Sequence, residues 1–143
     1  MSWLGRWLYY LAHFIWWPLR LKTRRVRVII RSGDEVLLVR NWFGTGRWNL
    51  PGGGMHRGET AQAAMIREVR EELAVQLDEN AIERKADFEI VEDGLTYIVT
   101  SGLAVVSEKP QLLLSRELMA AEWFSISRLP SSCSEVVKKA LSI

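Results

Sequence analysis

Residues 53–75 read GGMHRGETAQAAMIREVREELAV, and this segment constrains the chain more than any other. Met65, Ile66, Val69 and Leu73 recur at helical spacing, so the segment is a helix that must lay one apolar stripe on a core. Glu68, Glu71 and Glu72 fall at i, i+3 and i+4 and form a second stripe, from which the spacing turns Arg67 and Arg70 away. Glu68 and Glu72 repel each other across one turn by about 0.2–0.5 kcal/mol. Most charged helix faces are simply solvated, and spacing alone leaves that reading open. Solvated faces, however, usually alternate Glu with Lys four residues on. An uncompensated carboxylate face suits a hard divalent cation with oxygen ligands. Glu59 stands one turn before the helix in a Gly-rich approach.

These residues resemble the Nudix box, G-x5-E-x7-R-E-U-x-E-E-x-G-U with U aliphatic. Gly53, Glu59, Arg67, Glu68, Val69, Glu71, Glu72 and Val75 match it, and Trp48–Gly54 (WNLPGGG) resembles the usual lead into the box. The departure is Ala74, where the pattern has the Gly that closes the helix in a left-handed conformation. Ala74 implies a small strain or a different exit, at a position that carries no ligand.

The resemblance covers about residues 25–143 and implies an α/β fold, an α/β/α sandwich with a mixed sheet. It also implies hydrolysis of a nucleoside diphosphate linked to a moiety X, with Mg²⁺ or Mn²⁺ as cofactor. Glu71 and Glu72 are then the first metal ligands expected, joined by Glu68 and by the Gly53 carbonyl. Arg67 would hold a box carboxylate, and Glu59 would secure the loop to the helix. Glu117, six residues before Trp123, is the carboxylate expected from outside the box. Arg40, Trp48 and His56 are the substrate-binding candidates, Trp48 as a surface for a base. Read without the resemblance, Gly52–Gly54 is a plain turn, Trp48 a packing residue and His56 an exposed loop residue. The resemblance also leaves room for a non-catalytic nucleotide sensor, although such domains characteristically lose box glutamates that this chain keeps.

Charge divides the chain. Residues 1–33 hold seven Lys/Arg and no acid, whereas the remainder holds 12 basic and 17 acidic residues, giving +2 for the whole. Residues 2–19 are apolar and contain Trp3, Trp7, Trp16 and Trp17, and Pro18 ends any helix there. The stretch is shorter than a spanning helix and is interrupted by Arg6 and His13. Residues 1–24 therefore form an aromatic helical segment ahead of a domain over 25–143. Three readings of that segment stand side by side. It could anchor residues 2–31 peripherally to a membrane, where Trp and Tyr suit the headgroup layer and Lys/Arg suit anionic lipid. It could pack on its own domain or pair two subunits. It could bind RNA, a 5′ end included. A single cysteine, Cys133, rules out an internal disulfide and fits a cytoplasmic protein, peripheral to the inner face of a membrane under the first reading.

Beyond the box the pattern gives a strand pair around a turn at 32–34, with Val26, Val28 and Ile30 facing a core and a basic outer side at Arg25, Arg27, Ile29 and Arg31. A second pair spans 86–92 and 95–106, a strand 121–126, and a closing helix 134–141. The proline and tyrosine marks of the ADP-ribose, dinucleoside-polyphosphate and NADH types are not in register downstream of the box. That leaves a nucleoside triphosphate, an RNA 5′ end, or a nucleotide sugar or nucleotide-linked lipid as substrate.

Overall fold

In a computed structural model, residues 23–92 and 94–142 are described. The first two strands are β1 (Thr23–Ser32) and β2 (Glu35–Asn41), turned at Gly33 with φ 60°. They are zipped only beside that turn, at Arg31↔Val36 and Ser32↔Glu35. Past these pairs they splay, and residues 48–55 run between them. Val26 N–H donates to Gly53 O (2.9 Å), Val28 N–H to Pro51 O (2.9 Å) and Met55 N–H to Arg24 O (3.1 Å). On the other side Asn49 and Val39 exchange both backbone bonds, at 2.8 and 2.9 Å. Gly52 makes this passage possible: its φ is 139°, and a Cβ there would stand 2.1 Å from Val26 O. The glycines that read as a turn are thus an extra rung between two strands.

The helix α1 (Ala61–Leu73) follows. Thr60 caps it, its hydroxyl accepting the Ala63 N–H at 3.1 Å. Asp78 then caps a short 3-10 turn at Glu79–Ala81. Next come β3 (Ile82–Glu92), β4 (Leu95–Val105), β5 (Leu118–Ser125) and α2 (Glu135–Leu141), the last capped by Ser134. The sheet order is β3-β4-β1-β2-β5. β1 and β4 are parallel and the other pairs antiparallel, so the sheet is mixed.

The helices cover opposite faces, giving an α/β/α sandwich. Met65, Val69 and Leu73 of α1 pack with Val26, Val28 and Ile30. On the other face Val137 and Ala140 of α2 pack with Ile29, Leu38, Trp48 and Leu50. β1 is the middle strand of five and is covered on both faces, which corrects the basic outer side read from its alternation. Ile29 is core and Arg27 is buried, while Arg31 remains exposed. β3 begins four residues before the sequence pattern, because Glu83–Lys85 lie on an edge strand, where charge is tolerated, beside a bulge between Arg84 and Ala86. β5 likewise begins three residues early, at an edge.

The aromatic segment at 1–24 lies outside the described residues up to position 22, and so do the membrane, self-packing, dimer and RNA readings that rest on it. Among the described residues no helix is long and apolar enough to cross a membrane.

Candidate active site

Arg67 organises the start of the site. Its Nε and Nη2 grip both oxygens of Glu59 (2.7 and 3.0 Å), Nη1 reaches Glu68 Oε1 (2.8 Å) and Glu71 Oε2 (3.3 Å), and Nη2 also donates to Gly54 O (2.9 Å). Arg67 therefore lies across the glutamate stripe and does not turn away from it; its long stem spans the turn that Cβ direction alone would open. The two-pronged contact ties loop to helix. Glu59 Oε2 also accepts the His56 N–H at 2.8 Å. The Arg67 bond, ahead of any other cause, holds the Glu59 carboxyl down at about 2.

Glu72 is the buried carboxylate, 6% exposed, and its Oε2 accepts the Gly52 N–H at 3.0 Å. Burial pushes its pKa up to about 7, against the pull of the Gly52 N–H and Arg27, and the negative charges of Glu68 and Glu117 add to the rise. Gly52 is itself gripped from β1: Arg27 Nη1 donates to the carbonyls of Gly52 and Leu50. Burial lowers the Arg27 pKa, Glu72 offsets part of that, and Arg27 Nε is a buried atom with no hydrogen-bond partner.

Glu117 reaches the site because the loop after β4 is stitched to the end of α1. Leu113 N–H donates to Leu73 O (3.0 Å) and Ser115 N–H to Glu72 O (2.8 Å). Glu59, Glu68, Glu72 and Glu117 then line one cleft of about 1480 Å³, together with His56 and Arg57. The cleft continues over Thr23–Arg25, Arg27 and Leu95–Tyr97. There the Arg25 guanidinium stacks 3.9 Å above the Tyr97 ring.

Glu71 stands apart, its side chain 55% exposed, held by Arg67 and outside the cleft lining. Trp48 is packed edge-on against Phe124, with ring centroids 4.9 Å apart, on the α2 side of the sheet. Arg40 stays with it, Cζ 5.4 Å from the Trp48 ring and Nε bonded to Gly46 O at 3.0 Å. Trp48 and Arg40 therefore do not line the cleft. Arg25, Arg27 and Tyr97 do, and the sequence pattern placed none of them in the site. The first two read as an outer basic strand face, and Tyr97 as part of a hairpin strand.

The donor set suits a hard divalent cation: carboxylates on Glu68, Glu72 and Glu117, and a Gly53 carbonyl with one lone pair still open. Gly53 also forms a cradle, since a Cβ there would lie 2.7 Å from the Glu68 carboxyl. Among the described residues no three such side chains converge on one point; Arg67 holds Glu68 and Glu71.

A family model described as NUDIX domain matches residues 21–140, and the chain belongs to that family. It is 31% identical over 84 residues to a Mycobacterium tuberculosis protein provisionally named 8-oxo-dGTP diphosphatase 2. That match covers 59% of this chain and 57% of the relative. A Pseudomonas entomophila protein named NAD-capped RNA hydrolase NudC is 45% identical over 51 residues, 35% of this chain and 18% of that one. The fold resembles the crystal structure of a MutT NUDIX hydrolase from Burkholderia pseudomallei, with a TM-score of 0.75 at 23% identity, over 84% of this chain and 95% of that one.

Proposed function

We propose that this chain is a divalent-metal-dependent hydrolase that cleaves the diphosphate bridge of a nucleoside diphosphate linked to X. The observation that carries this is Glu72: a buried carboxylate in a large open cleft, crowded by Glu68 and Glu117, with no cationic side chain among the described residues bonded to it. Such a group is matched by a cation that arrives with a phosphorylated ligand. Glu68, Glu72, Glu117 and the Gly53 carbonyl would hold Mg²⁺ or Mn²⁺, with Glu71 recruited if its contact with Arg67 opens. A divalent ion there neutralises diphosphate and lowers the pKa of a water.

The chain's own residues set up the reaction. Arg27 fixes the Gly52 peptide, and Gly52 N–H fixes the inner oxygen of Glu72. Arg67 locks Glu59 to the helix and sets the rotamer of Glu68. His56 and Arg57 line the approach, where phosphate oxygens need donors. Water attacks phosphorus in line, the P–O–P bond breaks, and the products are a nucleotide and phospho-X, with both protons of the water released once the two new phosphomonoesters are fully ionised. The Arg25–Tyr97 pair offers X or the base a planar cationic surface. The names of the two relatives, an 8-oxo-dGTP diphosphatase and an NAD-capped RNA hydrolase, support nucleotide substrates and set the first members of a test panel.

The test is product release from that panel, extended to nucleotide sugars and a lipid-linked nucleoside diphosphate, with Mg²⁺ or Mn²⁺, for wild type and Glu72→Gln. Metal-dependent release that falls at least about 100-fold in the variant is expected. Metal-dependent ligand binding with no turnover on any member would make the chain a sensor instead.

A further inference from the structure

One end of the sheet gathers the starts of β1, β4 and β5 and the ends of β2 and β3, as the pairs Thr23↔Tyr97, Asn41↔Leu118 and Glu92↔Leu95 require. The cleft opens at this end, since Thr23, Asn41, Leu95 and Glu117 line it. The same end carries unusual apolar exposure. Trp42 is 63% exposed, Phe43 83% and Val91 72%, with Leu95 and Met119 also uncovered. Three of the five strands contribute, along with the loop that leaves β2. Scattered exposed apolar residues need no explanation, but several on one rim mark a contact surface.

Charge and chain direction indicate the partner. Arg24, Arg57 and Arg116 are exposed near this rim. Thr23, the first residue of β1, is also on it, and the sequence entering there is the stretch 2–22, with its four tryptophans and Arg20 and Lys22. Aromatic and aliphatic side chains interleaved with Lys/Arg, with no acid before Asp34, match the headgroup layer of an anionic bilayer. RNA would be served by the charge and the aromatic rings, but it would leave the aliphatic Val91, Leu95 and Met119 unused.

We propose that this end of the sheet is a membrane-docking face for anionic lipid, inserting Trp42, Phe43, Val91 and Leu95 beside the entry of residues 2–22. The cleft then opens onto the headgroup layer, where the diphosphates within reach are amphiphilic ones carried on a hydrocarbon tail. This last step rests on the hydrolase reading; the docking itself does not.

The test is co-sedimentation of the full chain with vesicles of phosphatidylcholine, alone or mixed with phosphatidylglycerol, at low and high salt. The variant Phe43→Ser/Val91→Ser is compared with Val105→Ser. Val105 is comparably exposed but lies at the other end of β4, about 30 Å away at the rise of a strand. Binding to the mixed vesicles that weakens with salt, drops at least about fivefold in the double variant and is unchanged in Val105→Ser is expected. Equal binding by the two variants overturns the face, because residues 2–22 would then suffice alone. Failure to bind either vesicle, including retention on RNA only, overturns the lipid. Glu72→Gln binds vesicles like wild type under the proposal, so loss of hydrolysis and loss of docking are read separately.

Discussion

At the scale of single residues, Glu72 shows how burial turns a common carboxylate into a proton-coupled site. Its oxygen is fixed by the Gly52 N–H while low solvation and the charges of Glu68 and Glu117 raise its pKa to about 7. A raised carboxyl binds its proton more tightly folded than unfolded. In the metal-free protein its contribution to stability is therefore complete below about pH 4.5 and lost as pH rises through 7. A cation needs the ionised form, so binding at pH 6 must displace the proton. Calorimetric titration of Mn²⁺ at pH 6, in two buffers of different ionisation enthalpy, should report release of about one proton, falling towards none above pH 8. Proton release that does not change with pH would remove Glu72 from the binding site. The sequence supplied the glutamates of the stripe but not the difference among them. Glu71 and Glu72 are adjacent, yet one is solvated and the other enclosed, because only Glu72 faces the rung that passes between β1 and β2.

At the scale of elements, α1 is held at both ends by contacts that make opposite predictions. At its start Glu59 is held at about 2 by Arg67, so this bridge contributes stability above the ordinary carboxyl range and loses it as pH falls from about 4.5 towards 2. After solvent screening the bridge contributes on the order of 1–3 kcal/mol. Urea midpoints of wild type and Glu59→Gln should thus differ at pH 6 and draw together as pH falls from about 4.5, converging only below about 2; a gap that does not narrow in acid would assign the loss to packing. At its end Ala74 has φ 55° and is the described non-glycine residue with positive φ, its N–H still closing on Arg70 O at 3.0 Å. The helix exits by the family's geometry without the family's residue. Ala74→Gly should relieve about 0.5–1 kcal/mol and raise Tm by about 2–4 °C in a thermal melt. An unchanged or lower Tm would mean that the unfolded chain's gain in freedom offsets the relief. The helix and the Ala74 anomaly were legible because they depend on neighbours in sequence. The splayed hairpin was not: WNLPGGG carries glycine and proline signals that a turn and an inserted rung share, and only the pairing with β1 and β2 distinguishes them.

At the scale of the whole molecule, the cleft joins a part that sequence can announce to a part that it cannot. Glu59, Glu68 and Glu72 come from one continuous motif, whereas much of the remaining lining comes from the start of β1 and the start of β4, more than 70 positions apart and brought together by the parallel pair Thr23↔Tyr97. No local pattern marks Arg25 and Tyr97 as partners, and Arg25 alternates in a strand as any outward basic residue would. Their division of labour is nevertheless testable. Under the proposed hydrolase reading the glutamates would act on the diphosphate that every substrate shares, while the stacked guanidinium and ring would meet whatever is attached to it. Removing the ring should then weaken binding without slowing the chemical step. For Tyr97→Leu, which keeps the apolar bulk of the strand, KM on the preferred substrate should rise about tenfold, the size of one lost base-stacking contact, with kcat within about twofold of wild type. Preference among panel members should also flatten, because the lost contact discriminates between attached groups and not between diphosphates. A fall in kcat with KM unchanged would instead place Tyr97 among the groups that serve the reacting phosphorus.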